Sequence, residues 1–187
     1  ENRNAWWVRQ QFKADYKVAP DAVWSFERFG MSRTILADGT QVYISGEHED
    51  FYDPDFYIYN DVILVAPGGQ ITIYGYPKDI FSPTDFHTAT LVNNEIYVIG
   101  CMGYVNQRKP GFTPVYRLDC ATFRMEMLDT HGDNPGWLSG HEAEFDAAQN
   151  AILVAGGQTF EWQEGNQIYR GSDDIYLLDL TTLRWQR

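Results

Sequence analysis

A length of 187 residues is enough for one domain with its own core, and 44% hydrophobic and 21% charged residues are typical of a folded globular protein. The formal net charge of −12 repels the phosphates of nucleic acids and of anionic membranes, so we expect neither as a partner. The aromatic content of 16% favours β-strands, because aromatic side chains pack well on pleated, half-buried surfaces.

Residues 1–22 differ from the rest of the chain and predict a short helical cap. Ala5, Val8, Phe12 and Tyr16 recur at the spacing of an amphipathic helix. Pro20 is expected to end that helix, because proline cannot continue a helical hydrogen-bond pattern.

Residues 23–187 repeat one pattern three times. The three units cover about residues 24–76, 77–128 and 129–187. Arg33, His87 and His141 open the first strands and are spaced by 54 residues each time. Each second strand ends in a glycine, which is Gly46, Gly100 or Gly156. Third and fourth strands follow at 61–65 and 71–74, at 115–119 and 123–127, and at 174–179 and 183–186. Four short antiparallel strands in roughly 50 residues are typical of a β-propeller blade.

The third unit resembles a kelch repeat most closely. It has a strand that ends in Gly156-Gly157, an aspartate-aliphatic-tyrosine strand at Asp174-Ile175-Tyr176, and the late Trp185. By this resemblance the chain belongs with the kelch-repeat, galactose oxidase-like propellers. The resemblance implies an all-β fold of three four-stranded antiparallel blades in an incomplete ring. It implies no single function, because kelch folds serve unrelated roles.

Three blades leave two apolar faces without a neighbour in a ring that usually needs at least four blades. Three ways of covering these faces are open. Two chains can close head to tail into a six-bladed homodimer, residues 1–22 with Trp6 and Trp7 can cap one face, or the chain is a fragment of a longer propeller. We favour the homodimer.

The connections between second and third strands predict a binding face. They run over residues 47–60, 101–114 and 158–173, and are longer than hairpin turns require. In a propeller they emerge at the same end of every blade. Aromatic side chains, which often dominate binding energy, are frequent in them: Phe51, Tyr52, Phe56, Tyr57, Tyr104, Phe112, Phe160, Trp162 and Tyr169.

The first of these connections is also strongly acidic. Its polar residues are Glu47, His48, Glu49, Asp50, Asp53 and Asp55. Such a loop can hold a divalent cation, but the spacing matches no calcium loop. We therefore expect no metal, and interpret the loop as a solvated acidic surface that attracts a basic partner protein.

Arg33, His87, His141 and Glu142 are the candidates for a site in the central channel. The kelch resemblance favours a structural role for the histidines, as side chains that satisfy backbone groups between blades. The alternative is a kelch-fold enzyme, or a metal-dependent sugar binder, with these residues at its site.

No nucleophile motif and no phosphate-binding glycine loop occurs in the sequence. The leading hypothesis is therefore a non-enzymatic binding module without a cofactor, whose partner is another protein. In a specialised form, an acidic protein of this kind would neutralise a basic toxin such as a nuclease.

Cys101 and Cys120 are too few for a disulfide framework. One bridge between them is conceivable, but we favour two reduced thiols. Reduced thiols, together with the lack of an Asn-x-Ser/Thr glycosylation site in the sequence, favour a cytoplasmic location.

Overall fold

The computed structural model describes the backbone of residues 24–50 and 53–187, and their side chains except at 49, 50 and 53–55. The described chain is all-β, with a single 3₁₀ turn at Val105–Gln107 as its one helical element. The all-β antiparallel prediction is confirmed. The helix predicted within residues 1–22 lies outside the described residues.

Eighteen strands follow one another in the described chain. The first six are β1 (Ser32–Ile35), β2 (Gln41–Ile44), β3 (Glu47–Asp50), β4 (Asp53–Ile58), β5 (Asp61–Val65) and β6 (Ile71–Gly75). The next six are β7 (Thr88–Val92), β8 (Glu95–Ile99), β9 (Val115–Asp119), β10 (Met125–Met127), β11 (His131–Gly132) and β12 (Trp137–Ser139). The last six are β13 (Glu142–Asp146), β14 (Ala151–Ala155), β15 (Gln158–Gln163), β16 (Asn166–Gly171), β17 (Ile175–Asp179) and β18 (Arg184–Gln186).

Three antiparallel sheets form the body of the molecule. Sheet I has the order β1-β2-β5-β6, sheet II the order β7-β8-β9-β10, and sheet III the order β13-β14-β17-β18. The short β11 adds a parallel edge strand to β18 of sheet III. Strand β7 lies next to both β1 and β13, so the first strands of the three sheets are neighbours.

Sheets I, II and III pack in series, front face to back face. The front of sheet I, with Val42 and Ile44, shares a buried core with Val98 and Leu118 on the back of sheet II. The front of sheet II shares a second core with the back of sheet III. Its members include Tyr97, Ile99, Val115, Ile152, Val154, Leu178 and Trp185. The alternation of side chains along each strand supplies both faces, and burial of these residues holds the series together.

Two of the three long connections are hairpins, where the sequence predicted loops. Strand β3 pairs with β4, and β15 pairs with β16 and with β12. The second hairpin turns at Glu164-Gly165, where both residues have positive φ, of 52° and 82°. Two consecutive residues with positive φ are typical of the tight turns that match strand twist.

The sequence pattern aligned Gly46 of the first unit with Gly100 and Gly156 of the other two. This alignment is wrong by one residue. Ser45, with φ of 51°, occupies the place of Gly100 and Gly156, whose φ values are 72° and 71°. The N–H of the next residue, Gly46, donates to Thr84 (2.9 Å), as the N–H of Cys101 donates to Leu138 (2.9 Å). The pattern matched glycine to glycine, whereas the backbone places serine at that position.

At the first strand the alignment is off by two residues, which removes Arg33 from the series with His87 and His141. The N–H of Phe86 donates to Gly30, and the N–H of Gly140 donates to Phe86. The residues that follow these three equivalent positions are Met31, His87 and His141. Met31, not Arg33, is therefore the counterpart of the two histidines.

Arg28 anchors the segment before sheet I. Its side chain is fully buried, and its guanidinium donates to both carboxylate oxygens of Asp61 and to the carbonyl groups of Ser25 and Ser45. The Trp24 indole N–H also donates to Asp61, at 3.0 Å. The Arg28 guanidinium carbon lies 3.5 Å from the centre of the Tyr59 ring, a cation–π contact. These bonds compensate the buried charge.

Cys101 and Cys120 are both free and buried. Among the described residues, no helix has the length and apolar character needed to cross a membrane.

Candidate binding rim

The hairpin β3–β4, the segment 101–114 and the hairpin β15–β16 lie side by side at one end of the three sheets; we call this surface the rim. Tyr104 joins the first two. Its hydroxyl oxygen accepts a hydrogen bond from the N–H of Ile58 (2.8 Å), and its ring meets Phe56 edge to face at 5.9 Å. Segment 101–114 is therefore held against the first hairpin by both a polar and an aromatic contact.

Arg108 joins the segment to the second hairpin. Its guanidinium donates to the Tyr169 hydroxyl group and, at 2.9 Å, to the carbonyl group of Gly103. The guanidinium carbon also lies 5.3 Å from the centre of the Phe160 ring and 5.5 Å from that of Tyr169. The two joints make one continuous surface from three connections that are far apart in sequence.

The predicted aromatic residues divide into exposed and packed rings. Phe56 and Trp162 are each 48% exposed, and Tyr169 is 44% exposed. Tyr57, Tyr104 and Phe112 are half-buried. Phe160 differs from the predicted exposed rings: it is buried against Cys101 and Trp137, because on an alternating hairpin its side chain faces the core. Phe51 and Tyr52 lie outside the described residues.

The acidic connection forms part of the first hairpin. Glu47 is half-buried and His48 is buried, because both belong to β3, which lies against the body of the molecule. The side chains of Glu49, Asp50, Asp53 and Asp55 lie outside the described part. Among the side chains that the structure describes, no group of three or more His, Cys, Asp or Glu residues is placed to hold a metal ion.

Asp85 lies beside the rim and was not among the residues predicted from the sequence. It is fully buried just before β7, and its carboxylate accepts a hydrogen bond from the N–H of Gly103 at 2.6 Å. Burial raises the pKa of Asp85, and the Gly103 N–H, the nearby Glu47 carboxyl group and the positive charge of Arg108 act in the opposite direction. Asp85 thus fixes the start of segment 101–114. The one feature of the sequence that draws attention to Asp85 is its position three residues before the first strand of a unit.

The four channel candidates are not brought together. The His87 Nε2 atom pairs with the Ser32 hydroxyl group at 2.8 Å, and the His141 Nε2 atom with that of Thr88 at 2.9 Å. Each histidine therefore ties its sheet to the preceding one. Arg33 lies exposed on the back of sheet I, and Glu142 lies exposed on the front of sheet III.

Burial keeps both histidines neutral in the folded protein. It lowers the pKa of His87 to about 3, helped by the charge of His141, and lowers the pKa of His141 to about 4. The ordinary value is 6.5. Below that pH the unfolded chain takes up protons that the folded chain does not, so folding loses stability as the pH falls toward the folded values.

We expect the free energy of unfolding to fall between pH 6.5 and pH 4, by up to about 1.4 kcal/mol per pH unit for each histidine. The variant His141→Gln should show a shallower decline in urea titrations over this range. The exposed His131 provides the control, since His131→Gln should leave the decline unchanged. A His141→Gln profile parallel to that of the wild type would contradict this assignment.

A cavity of about 220 Å³ lies behind the rim, between the segment before β7 and segment 101–114. Phe112, Tyr116, Trp137, Lys109 and Cys101 are among its lining residues. Burial raises the pKa of the Cys101 thiol, with the charge of Asp85 adding to the effect. A thiol with a raised pKa is a poor nucleophile near neutral pH.

No protein family model matches this chain, and no curated protein matches it. Solved structures do. Superposition on the structure of YjhT gives a TM-score of 0.62 at 14% sequence identity, over 90% of this chain and 57% of that one. The chain therefore spans a little over half the length of that protein. At this identity the likeness concerns the fold alone.

Proposed function

We propose that sheets I, II and III are consecutive blades of a kelch-type β-propeller, and that the rim is a non-enzymatic surface for binding another protein. Three observations support the blade assignment. The sheets have the same four-strand order, they pack front to back twice, and their first strands are neighbours. Neighbouring inner strands are the arrangement that a ring of blades requires.

The observation that carries the binding function is the rim itself. Phe56, Trp162 and Tyr169 expose large parts of their rings on a surface that Tyr104 and Arg108 hold in a fixed shape. Exposed aromatic residues on a rigid frame lose little conformational entropy on binding, which favours a protein partner. The net charge of −12 favours a basic one. An acidic inhibitor of a basic toxin is the specialised form of this proposal.

The rival is an enzyme or sugar-binding site. The observation that favours it is the pair Glu47 and Asp85, two carboxyl groups close together beside Arg108. Elemental analysis of the purified protein and titration with simple sugars test this rival directly. A stoichiometric metal or a saturable sugar signal that Asp85→Asn abolishes would favour it over the protein-binding rim.

The rim proposal predicts that Phe56→Ala and Trp162→Ala together weaken partner binding at least tenfold, because each removes an exposed anchor. The measurement is capture of proteins from the host lysate by immobilised wild type and variants, followed by titration of the captured protein. Arg124→Ala is the control, since Arg124 is exposed in the β9–β10 turn at the opposite end of sheet II.

Retention of the same protein by wild type and by Arg124→Ala, but not by the rim variant, is the expected result. Equal titration curves for all three proteins would contradict the proposal.

A further inference from the structure

The two internal junctions share a pattern on their first strands. On the front faces these strands carry small hydroxyl residues, Ser32 and Thr34 in β1 and Thr88 and Thr90 in β7. On the back faces they carry alanine: Ala89 packs in the core between sheets I and II, and Ala143 in the core between sheets II and III. Small side chains let the first strands approach closely, and a buried histidine bonds one hydroxyl group across each junction.

The two outer faces break this pattern with opposite charges. Glu142 and Glu144 occupy, on the front of sheet III, the places that hydroxyl residues occupy in β1 and β7. Arg33 occupies, on the back of sheet I, the place of Ala89 and Ala143, as the Met31–His87–His141 equivalence requires. Glu142 and Glu144 therefore lie at the front-face positions, and Arg33 at the back-face position, that belong to facing first strands at the two internal junctions.

Most other side chains in the middle strands of both outer faces are apolar, although the front of sheet III also carries Asp146, Asp179, Arg184 and Gln186. On the back of sheet I, Ile71 is 61% exposed and Ile73 is 49% exposed, while Phe26 covers Tyr43 edge to face. On the front of sheet III, Ile175 is 62% exposed beside the half-buried Leu153 and Leu177. In the described part of the chain no sheet packs on either face. Apolar sheet faces of this kind are normally covered in a folded assembly.

We propose that the front of sheet III is a docking face for the back of sheet I of a second copy of this chain, with Arg33 paired to Glu142 and Glu144. The junction repeats the front-to-back step seen twice within one chain, and the ion pairs replace the histidine bond that Met31 cannot form. The contact is head to tail, so each copy contributes two internal junctions and one junction to the other copy. Two copies form a closed ring when these junctions together complete a full turn.

Sedimentation equilibrium of the full chain tests this proposal. The wild type is expected at about 43 kDa, twice the 21.5 kDa of one chain. Arg33→Glu should weaken association at least tenfold, and so should Glu142→Lys with Glu144→Lys, because each places like charges across the junction. The triple variant with all three changes restores opposite charges, and should recover most of the lost affinity.

Arg124→Glu is the control for charge reversal outside both faces, and should leave the dimer unchanged. Circular dichroism of each variant checks folding, and the mass of the wild type tests the dimer even if one of the changes perturbs a sheet. A wild type that sediments at 21.5 kDa at a protein concentration of about 100 μM would overturn the proposal. So would a triple variant that associates no more tightly than the variants from which it is combined.

Discussion

Asp61→Ala is expected to lower the free energy of unfolding by about 3–5 kcal/mol, because it leaves the Arg28 guanidinium buried without its counter-charge. The Arg28 side chain is 0% exposed and that of Asp61 10% exposed, so water cannot replace the carboxylate without local opening. The Trp24 indole N–H loses its acceptor in the same variant. Urea denaturation followed by tryptophan fluorescence measures the change.

A matched control is the exposed pair between Arg170 and Glu161, whose side chains are 56% and 52% exposed. Glu161→Ala should cost less than about 1 kcal/mol, since exposed ion pairs contribute little. Equal, small losses for Asp61→Ala and Glu161→Ala would show that Arg28 does not depend on Asp61.

Gly100→Ala is expected to lower the free energy of unfolding by about 2–5 kcal/mol, the sum of left-handed backbone strain and overpacking. Gly100 has φ of +72°, and a Cβ atom there would lie 2.4 Å from the carbonyl oxygen of Leu138. That oxygen belongs to the backbone and accepts the Cys101 N–H, so it cannot move away without losing a hydrogen bond. Thermal and urea unfolding both report this loss.

Gly156 is the matched control, because it has the same role at the end of β14 without the close contact. Its φ is +71°, but a Cβ atom would meet nothing within 4 Å. Gly156→Ala should therefore cost only the strain, about 1–2 kcal/mol. If Gly100→Ala were no more harmful than Gly156→Ala, the tight approach of Leu138 would be contradicted.

The strands of the three sheets could be predicted because their signals are local. The sequence placed strands at 61–65 and 115–119, which are the observed bounds of β5 and β9. Both are short apolar runs between turn residues, and a pairing partner follows each after a short turn. The repeat period then indicated that the same four-strand order recurs in each unit.

The register of the first unit could not be predicted, because it depends on backbone conformation. Ser45 adopts a positive φ that sequence reasoning reserves for glycine, so Gly46 was matched to Gly100. The Arg28–Asp61 pair was also out of reach, since it joins residues 33 positions apart through tertiary packing.

The rim was predicted as three neighbouring loops, and the strand pairing within it and the hydrogen bonds that join its parts were missed. Alternation at Thr159-Phe160-Glu161-Trp162 followed by Glu164-Gly165 is a signal for the second hairpin that the long-loop interpretation overlooked. Nothing local marks Arg108 as the link to Tyr169, because that contact exists only after the sheets pack.

Hydrogen–deuterium exchange of the chain, alone and with its captured protein partner, tests the rim proposal most directly. We expect protection on binding to concentrate in residues 53–58, 101–114 and 158–171, with the opposite turns at 120–124 and 180–183 unchanged. Protection confined to those turns or to the outer strands β6, β10 and β18, with the rim unaltered, would contradict it.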